Sequence, residues 1–96
     1  MIVHIVIFQF KDKEKEQNIL KAKEMLERLV SMIDVLKTME VGININDSER
    51  AYDMSLYSTF DTKEDLAIYA NHPEHIKVLS FIKDVVEITK VVDYEK

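Results

Sequence analysis

Ile2-Val3-His4-Ile5-Val6-Ile7-Phe8-Gln9-Phe10 is the stretch of sequence that decides the fold of this chain. β-branched and aromatic residues dominate it, which predicts a β-strand. Successive side chains of a strand point to opposite faces of the sheet, so the even-numbered residues form one face and the odd-numbered residues the other. Both faces are apolar apart from His4 and Gln9. We therefore expect this strand to be covered on both sides.

The middle of the chain predicts one helix and one hairpin. Asp12 is expected to cap a long helix that runs to about Ile33, because apolar residues recur there at helical spacing. Thr38–Asn46 alternates between the two faces of a sheet, which predicts a strand whose apolar face extends to Ile45. Asn46–Glu49 is a cluster of turn-forming residues, and Tyr52–Phe60 predicts the strand that pairs with the preceding one across that turn.

The last third of the chain predicts two short helices and a final strand. Asp61-Thr62-Lys63-Glu64 has the pattern of a capping box, and a short helix follows to about Asn71. Pro73 suits the first turn of the next helix and disfavours helical geometry at the preceding residue, His72. Glu87–Tyr94 predicts the last strand.

The order of these elements predicts an α+β, ferredoxin-like fold with a four-stranded antiparallel sheet. The order is strand, helix, strand, strand, two helices and strand. All helices of such a fold cover one face of the sheet, which leaves the other face open. Because the first strand is apolar on both faces, we expect the open face to meet a second copy of the chain. Two sheets that face each other in this way form a homodimeric α/β barrel.

Composition limits the kind of protein. Ninety-six residues are expected to form a single domain, residues 1–96. A net charge of −5, with lysines interleaved among glutamates, argues against a nucleic-acid partner. The chain has no cysteine, which excludes disulfides and thiolate chemistry. Its apolar start lacks the basic leader of a signal peptide, and no segment is long enough to span a bilayer, so we expect a cytoplasmic protein without a membrane partner.

Tyr69-Ala70-Asn71-His72-Pro73-Glu74-His75 is the strongest candidate for a functional site. It contains two of the three histidines and the only proline of the chain. Imidazole and phenol groups can transfer protons near neutral pH. A straight helix would point Tyr69 and His75 in different directions, whereas a break at Pro73 lets both face one cavity. The alternative is that His75 packs and binds a backbone carbonyl, and that Tyr69 is a core tyrosine.

The other two histidines have simpler interpretations. His72 precedes Pro73, so we expect it to cap the following helix or fill the turn. His4 lies on an apolar strand face, where a buried histidine with a satisfied hydrogen bond is the common case. His72 and His75 have the spacing of helical metal ligands, but Pro73 lies between them and no tight cluster of acidic residues accompanies them. A zinc site is therefore not expected.

The chain resembles the stress-responsive dimeric α/β-barrel family. The resemblance rests on the segment Val3–Lys11 followed by an amphipathic helix, on the Tyr69…His72-Pro73-Glu74-His75 motif, and on matching length and element order. It implies a homodimeric barrel without a metal or an organic cofactor. Most members of the family have no assigned reaction.

A plant polyketide cyclase with this fold indicates what the motif residues would do. By this resemblance, Tyr69 and His75 match the tyrosine and histidine that carry acid/base chemistry, and His4 matches a further pocket histidine. Met54 stands where the cyclase has another polar pocket histidine, so one hydrogen-bonding group is missing here. Fold similarity alone does not transfer a reaction.

Two functions therefore stay open. The first is a homodimer with an apolar small-molecule pocket and no assigned reaction. The second is a cofactor-free enzyme, polyketide-cyclase-like or monooxygenase-like, that acts on a carbonyl compound with His75 as acid/base, Tyr69 as hydrogen-bonding partner and His4 as polar contact. A cavity filled by Phe8, Met54 and Phe81 would instead favour a purely structural dimer.

Overall fold

Four antiparallel strands form one sheet in the order β2-β3-β1-β4. The computed structural model describes all 96 residues. The elements are β1 (Ile2–Phe10), α1 (Lys15–Arg28), a single 3₁₀ turn (Leu29–Ser31), β2 (Thr38–Ile43), β3 (Met54–Phe60), α2 (Lys63–Asn71), α3 (Pro73–Val85) and β4 (Val86–Glu95). This order and pairing confirm the predicted ferredoxin-like fold.

The even-numbered face of β1 packs against the helices. On this face Val6 lies opposite Leu56 of β3, and Phe8 lies opposite Met54. These residues and Phe60 join apolar residues of α1, α2 and α3 in one buried core. The continuous apolar pattern of β1 is thus explained on this side by the helix layer.

The odd-numbered face of β1 has no helices over it. Ile5 lies at the centre of this face, opposite Tyr57 of β3 and Val92 of β4. Val92 is 61% exposed, which is a large value for an apolar side chain in a sheet. We call this surface the open face. Its charged side chains, such as Glu40 and Lys90, lie on the edge strands β2 and β4.

The predicted limits of α1 were wrong at both ends. The helix begins at Lys15, after Glu14, whose φ of 52° places it in the left-handed region, and it ends at Arg28. Asp12 does not cap the helix, and instead its carboxylate lies 3.5 Å from Lys15 Nζ. The apolar spacing continues to Ile33 because the 3₁₀ turn after the helix still points Leu29 into the core.

The hairpin strands are shorter than predicted. β2 ends at Ile43, so Ile45 lies beyond the sheet and is 97% exposed. Side-chain oxygens of Asn44 and Asn46 accept hydrogen bonds from backbone N–H groups two residues later, which stabilises a loop in place of a continued ladder. β3 begins at Met54 rather than at Tyr52.

The second half of the chain follows the prediction closely. The cap of α2 lies one residue later than expected, because the Thr62 hydroxyl accepts a hydrogen bond from the backbone N–H of Asp65. α3 begins at Pro73, as predicted. β4 extends one residue beyond the prediction at each end. The structure contains no helix whose length and apolar character would suit it to crossing a membrane.

Candidate functional site

A cavity of about 490 Å³ lies between the helix-facing side of the sheet and the helices. Nine of its 13 lining residues are hydrophobic, and among them are Val6 and Phe8 of β1 and Leu79 and Ile82 of α3. The remaining four are His4, His75, Lys83 and Thr89. No aspartate or glutamate lines the cavity.

The break between α2 and α3 aims two of the predicted residues into this cavity. His72 has the extended backbone geometry expected before proline, and its Nδ1 accepts a hydrogen bond from the Glu74 N–H at 3.1 Å. The prediction that His72 caps the second helix is thus confirmed. The change of direction brings the rings of Tyr69 and His75 to a centroid separation of 4.3 Å.

The hydrogen bond of His75 decides which of its ring nitrogens lacks a proton. His75 Nδ1 lies 3.0 Å from the carbonyl oxygen of Ala70. A carbonyl oxygen only accepts, so Nδ1 carries the proton and donates it. In the neutral ring, Nε2 therefore keeps a free lone pair. Nε2 has no hydrogen-bond partner and is not sealed from solvent, which makes it available to a molecule in the cavity.

Tyr69 combines near-complete burial with a free hydroxyl. The residue is only 1% exposed and packs against Phe60 with a ring centroid separation of 5.1 Å. Its hydroxyl binds no protein group, yet every fully buried polar side-chain atom of the chain has a partner. The small exposed area of Tyr69 must therefore include the hydroxyl, at the cavity surface. Burial raises the pKa of Tyr69 well above its usual range, so the hydroxyl stays a donor.

His4 brings the third polar group to the same end of the cavity. Its ring lies 6.4 Å from that of Tyr69, in an edge-on arrangement. His4 Nδ1 lies 2.5 Å from Oδ1 of Asp93, which faces it across the β1–β4 pair. The carboxylate accepts, so Nδ1 is the donor and Nε2 is the nitrogen left for a ligand. Asp93 carries no local signal in the sequence, because only the strand register places it beside His4.

Burial sets the protonation state of His75. Burial lowers the pKa of His75, the hydrogen bond to Ala70 opposes this effect, and the positive charges that His4 and His72 carry when protonated lower it further. The ordinary pKa of a histidine is about 6.5. At pH 7 the ring is therefore mainly neutral, which is the form that can accept a proton.

We expect the C–H resonances of the His75 ring to titrate below pH 6.5 in an NMR pH titration of the folded protein. Since burial is the main cause, replacing His72 with asparagine, which still caps a helix, should move that midpoint up only slightly. A midpoint at or above that of an exposed histidine would contradict the burial of this ring.

The remaining predictions for the site have mixed outcomes. The structure brings the three candidate residues His4, Tyr69 and His75 together around one cavity.

Met54 was expected in the pocket, but it is buried elsewhere in the core, and Leu56 is the β3 residue at the cavity. Phe81 is not among the lining residues either, and its ring lies under Lys21 Nζ at 4.6 Å. Lys83 also lines the cavity, and no local pattern in the sequence marks it as a site residue.

The geometry gives no donor set for a metal ion. No group of three or more histidine and acidic side chains lies close enough together to hold one.

Several known proteins are similar to this chain in sequence. The family model of the stress-responsive A/B barrel domain matches residues 2–96. One stress-response A/B barrel domain-containing protein of Arabidopsis thaliana is 34% identical over 79 residues, which are 82% of this chain and 30% of that protein. A second protein of the same description and the same plant is 26% identical over 96 residues, with 98% of this chain and 88% of that protein covered. The chain thus spans under a third of the first relative but most of the second.

Solved structures are similar over the whole chain. A dimeric protein of unknown function and ferredoxin-like fold from Bacteroides fragilis is 36% identical, with a TM-score of 0.91 and coverage of 99% of this chain and 95% of that chain. Hydroxynitrile lyase from Passiflora edulis is 18% identical, with a TM-score of 0.86 and coverage of 97% and 90%. A putative antibiotic biosynthesis monooxygenase from Nitrosomonas europaea is 20% identical, with a TM-score of 0.82 and coverage of 100% and 98%.

The likeness to these two enzymes concerns the fold alone, because the sequence identity is low. The family model, by contrast, matches nearly the whole chain, including the strand that bears His4 and the motif that bears Tyr69 and His75. This chain belongs to the stress-responsive A/B barrel domain family.

Proposed function

We propose that this protein is a homodimer that binds an apolar small molecule with a carbonyl group in the cavity between sheet and helices. The observation that carries the proposal is the cavity itself. Its volume of about 490 Å³ lies in the range of small-molecule sites, and its mostly apolar walls converge on three polar groups. An apolar wall holds the body of a ligand, and the polar groups orient it.

The homodimer is supported by the open face and by similar proteins. Ile5, Tyr57 and Val92 form an apolar centre on that face, while the charged side chains lie on the edge strands. An apolar centre with a polar rim is the usual anatomy of a protein interface. The Bacteroides fragilis protein of the same fold is described as dimeric.

Replacing Leu79 with tryptophan should strongly weaken binding in the cavity. Leu79 lines it midway along α3, so the larger ring would occupy the space of the ligand. The probe is methyl octyl ketone, measured by isothermal titration calorimetry, and the native protein should bind it with a negative heat-capacity change. We expect at least a tenfold loss of affinity in the variant.

The matched control is Leu20→Trp. Leu20 is 61% exposed on α1 and lies outside the cavity, so this variant should bind the ketone as the native protein does. Equal affinity of all three proteins, or no binding by the native protein, would contradict a ligand site in this cavity.

The geometry of His75 supports a second candidate function, a cofactor-free enzyme that moves a proton. His75 Nε2 would take a proton from the carbon next to the carbonyl of the ligand. The electron pair of the broken C–H bond would form a carbon–carbon double bond, and the carbonyl oxygen would become an enolate. The Tyr69 hydroxyl would donate a hydrogen bond to that oxygen, with His4 as a further polar contact.

The product would depend on which group the enolate reacts with. Attack on a second carbonyl of the same molecule would give a polyketide-cyclase-like ring closure. Reaction with dioxygen, the oxidant, would instead form a carbon-bound peroxide that loses water and leaves a new carbonyl at that carbon, which is monooxygenase-like chemistry. The first alternative requires only a folded ligand, and the cavity is large enough for one. The shared first step, proton removal by His75, can be tested without knowing the natural substrate.

A further inference from the structure

The cavity is elongated, and its two ends differ in chemistry. His4 and Phe8 both line its floor and are four residues apart on β1, which is about 13 Å in an extended strand. His75 and Lys83 both line its wall and are eight residues apart on α3, which is about 12 Å along a helix axis. The strand and the helix thus give similar lengths for the cavity, about 12–13 Å.

One end of the cavity is lined by the proposed proton-transfer groups of His4, Tyr69 and His75. Tyr69 contacts the rings of both His4 and His75, which places these three residues together. The middle is apolar, with Val6 on the floor and Leu79 and Ile82 on the wall.

The opposite end is lined by Lys83, an exposed residue and the only lysine of the lining. Lys83 lies in the last turn of α3, close to where β4 begins beside Phe10. Thr89 of β4, which lies opposite Phe8, also lines the cavity. The ammonium group of Lys83 makes no ion pair, unlike that of Lys77 on the same helix. Neither Lys83 nor Thr89 uses its side chain in a hydrogen bond within the chain.

From this arrangement we infer that the ligand of the cavity is an amphiphilic carboxylate, with its carboxylate at Lys83 and Thr89 and its apolar chain extending toward His75. The inference rests on the proposed function, because it names the class of ligand for the same cavity. The charge of the lining supports it, since Lys83 is the one lysine among the lining residues and no aspartate or glutamate is among them. A single positive charge matches a monocarboxylate, whereas phosphate carries nearly two negative charges and is usually held by several donors.

The length of the cavity sets the length of the ligand. An apolar chain must cross the region between Lys83 and His75, so a carboxylate of medium chain length would place its distal carbons beside the imidazole. A carbonyl group at that distal end would lie within reach of His75 Nε2 and the Tyr69 hydroxyl. A ligand with a carboxylate at one end and a ketone near the other would therefore use both ends of the cavity.

Decanoate and decanol test the inference, because they share the apolar chain and differ in the head group. Calorimetry should show that the native protein binds decanoate more tightly than decanol. Lys83→Gln should lose about fivefold in affinity for decanoate, the loss expected for one ion pair to an exposed lysine, and should bind decanol unchanged. Lys77→Gln is the matched control, since Lys77 lies on the same helix outside the cavity, and it should leave both affinities unchanged.

The outcomes separate this inference from the proposed function. If decanol and decanoate bind equally well and neither depends on Lys83, the carboxylate assignment is overturned while the apolar cavity stands. If the native protein binds neither compound nor methyl octyl ketone, the proposed function fails and the carboxylate assignment fails with it.

Discussion

Exchange of deuterium into the carbons next to the carbonyl of methyl octyl ketone is expected to slow by roughly 10²–10⁴-fold when His75 is replaced by glutamine. Glutamine can still donate a hydrogen bond to the Ala70 carbonyl through its amide, but it offers no basic nitrogen to the cavity. The variant should therefore keep its fold and its affinity for the ketone while it loses the proton transfer. The exchange is followed in D₂O by NMR of the ketone.

His72→Asn is the control for this experiment. His72 caps α3 through its Nδ1, and asparagine is a good capping residue, so the helix break should persist. The exchange rate of this variant should equal that of the native protein. Exchange at the native rate in His75→Gln would refute the role of His75 as the base, while leaving the cavity as a binding site.

The pH dependence of the exchange follows from the same geometry. Protonation of His75 removes the base, so the rate should fall as the pH drops through the pKa of this histidine. Because burial lowers that pKa, the fall should lie below pH 6.5. Burial raises the pKa of Tyr69 above the usual value of about 10, so loss of its proton should not limit the rate at neutral or mildly basic pH.

The fold was predictable from local patterns because each element carries its own signal. Pro73 marks the start of α3, and the two apolar faces of β1 place it at the centre of the sheet. The errors occurred where a local signal competed with another one. Ile45 continues the alternation of β2, but hydrogen bonds from the side chains of Asn44 and Asn46 favour a loop at that point.

The candidate site was only partly predictable. The motif identified Tyr69 and His75, because residue type and the helix break were visible in the sequence. The contact between His4 and Asp93 depends on a pairing between residues at opposite ends of the chain, which no local pattern reports. The importance of Lys83 depends on the space beside it, and that space exists only because side chains from several elements fail to fill it.

Replacing Val92 with aspartate is expected to convert the proposed dimer to a monomer at micromolar concentration. Val92 lies on the open face, opposite Ile5 and 61% exposed in the single chain. A carboxylate at this position should destabilise the folded monomer only slightly, because water still solvates it. In a dimer that covers the open face, two carboxylates per dimer would lose water without a partner. We expect a penalty of about 3 kcal/mol or more, which is roughly a hundredfold rise in the dissociation constant.

The adjacent residue supplies a matched control for sedimentation velocity measurements. Val91 is also a valine of β4, is 56% exposed, and points to the helix-facing side of the sheet. Val91→Asp should stay dimeric, although it should weaken binding in the cavity that Val91 lines. If Val92→Asp sediments as the native protein does, or if the native protein is itself a monomer, the open face is not the dimer interface. Val92→Asp should affect dimerisation and Val91→Asp should affect ligand binding, because neighbouring residues of one strand point to opposite faces of the sheet.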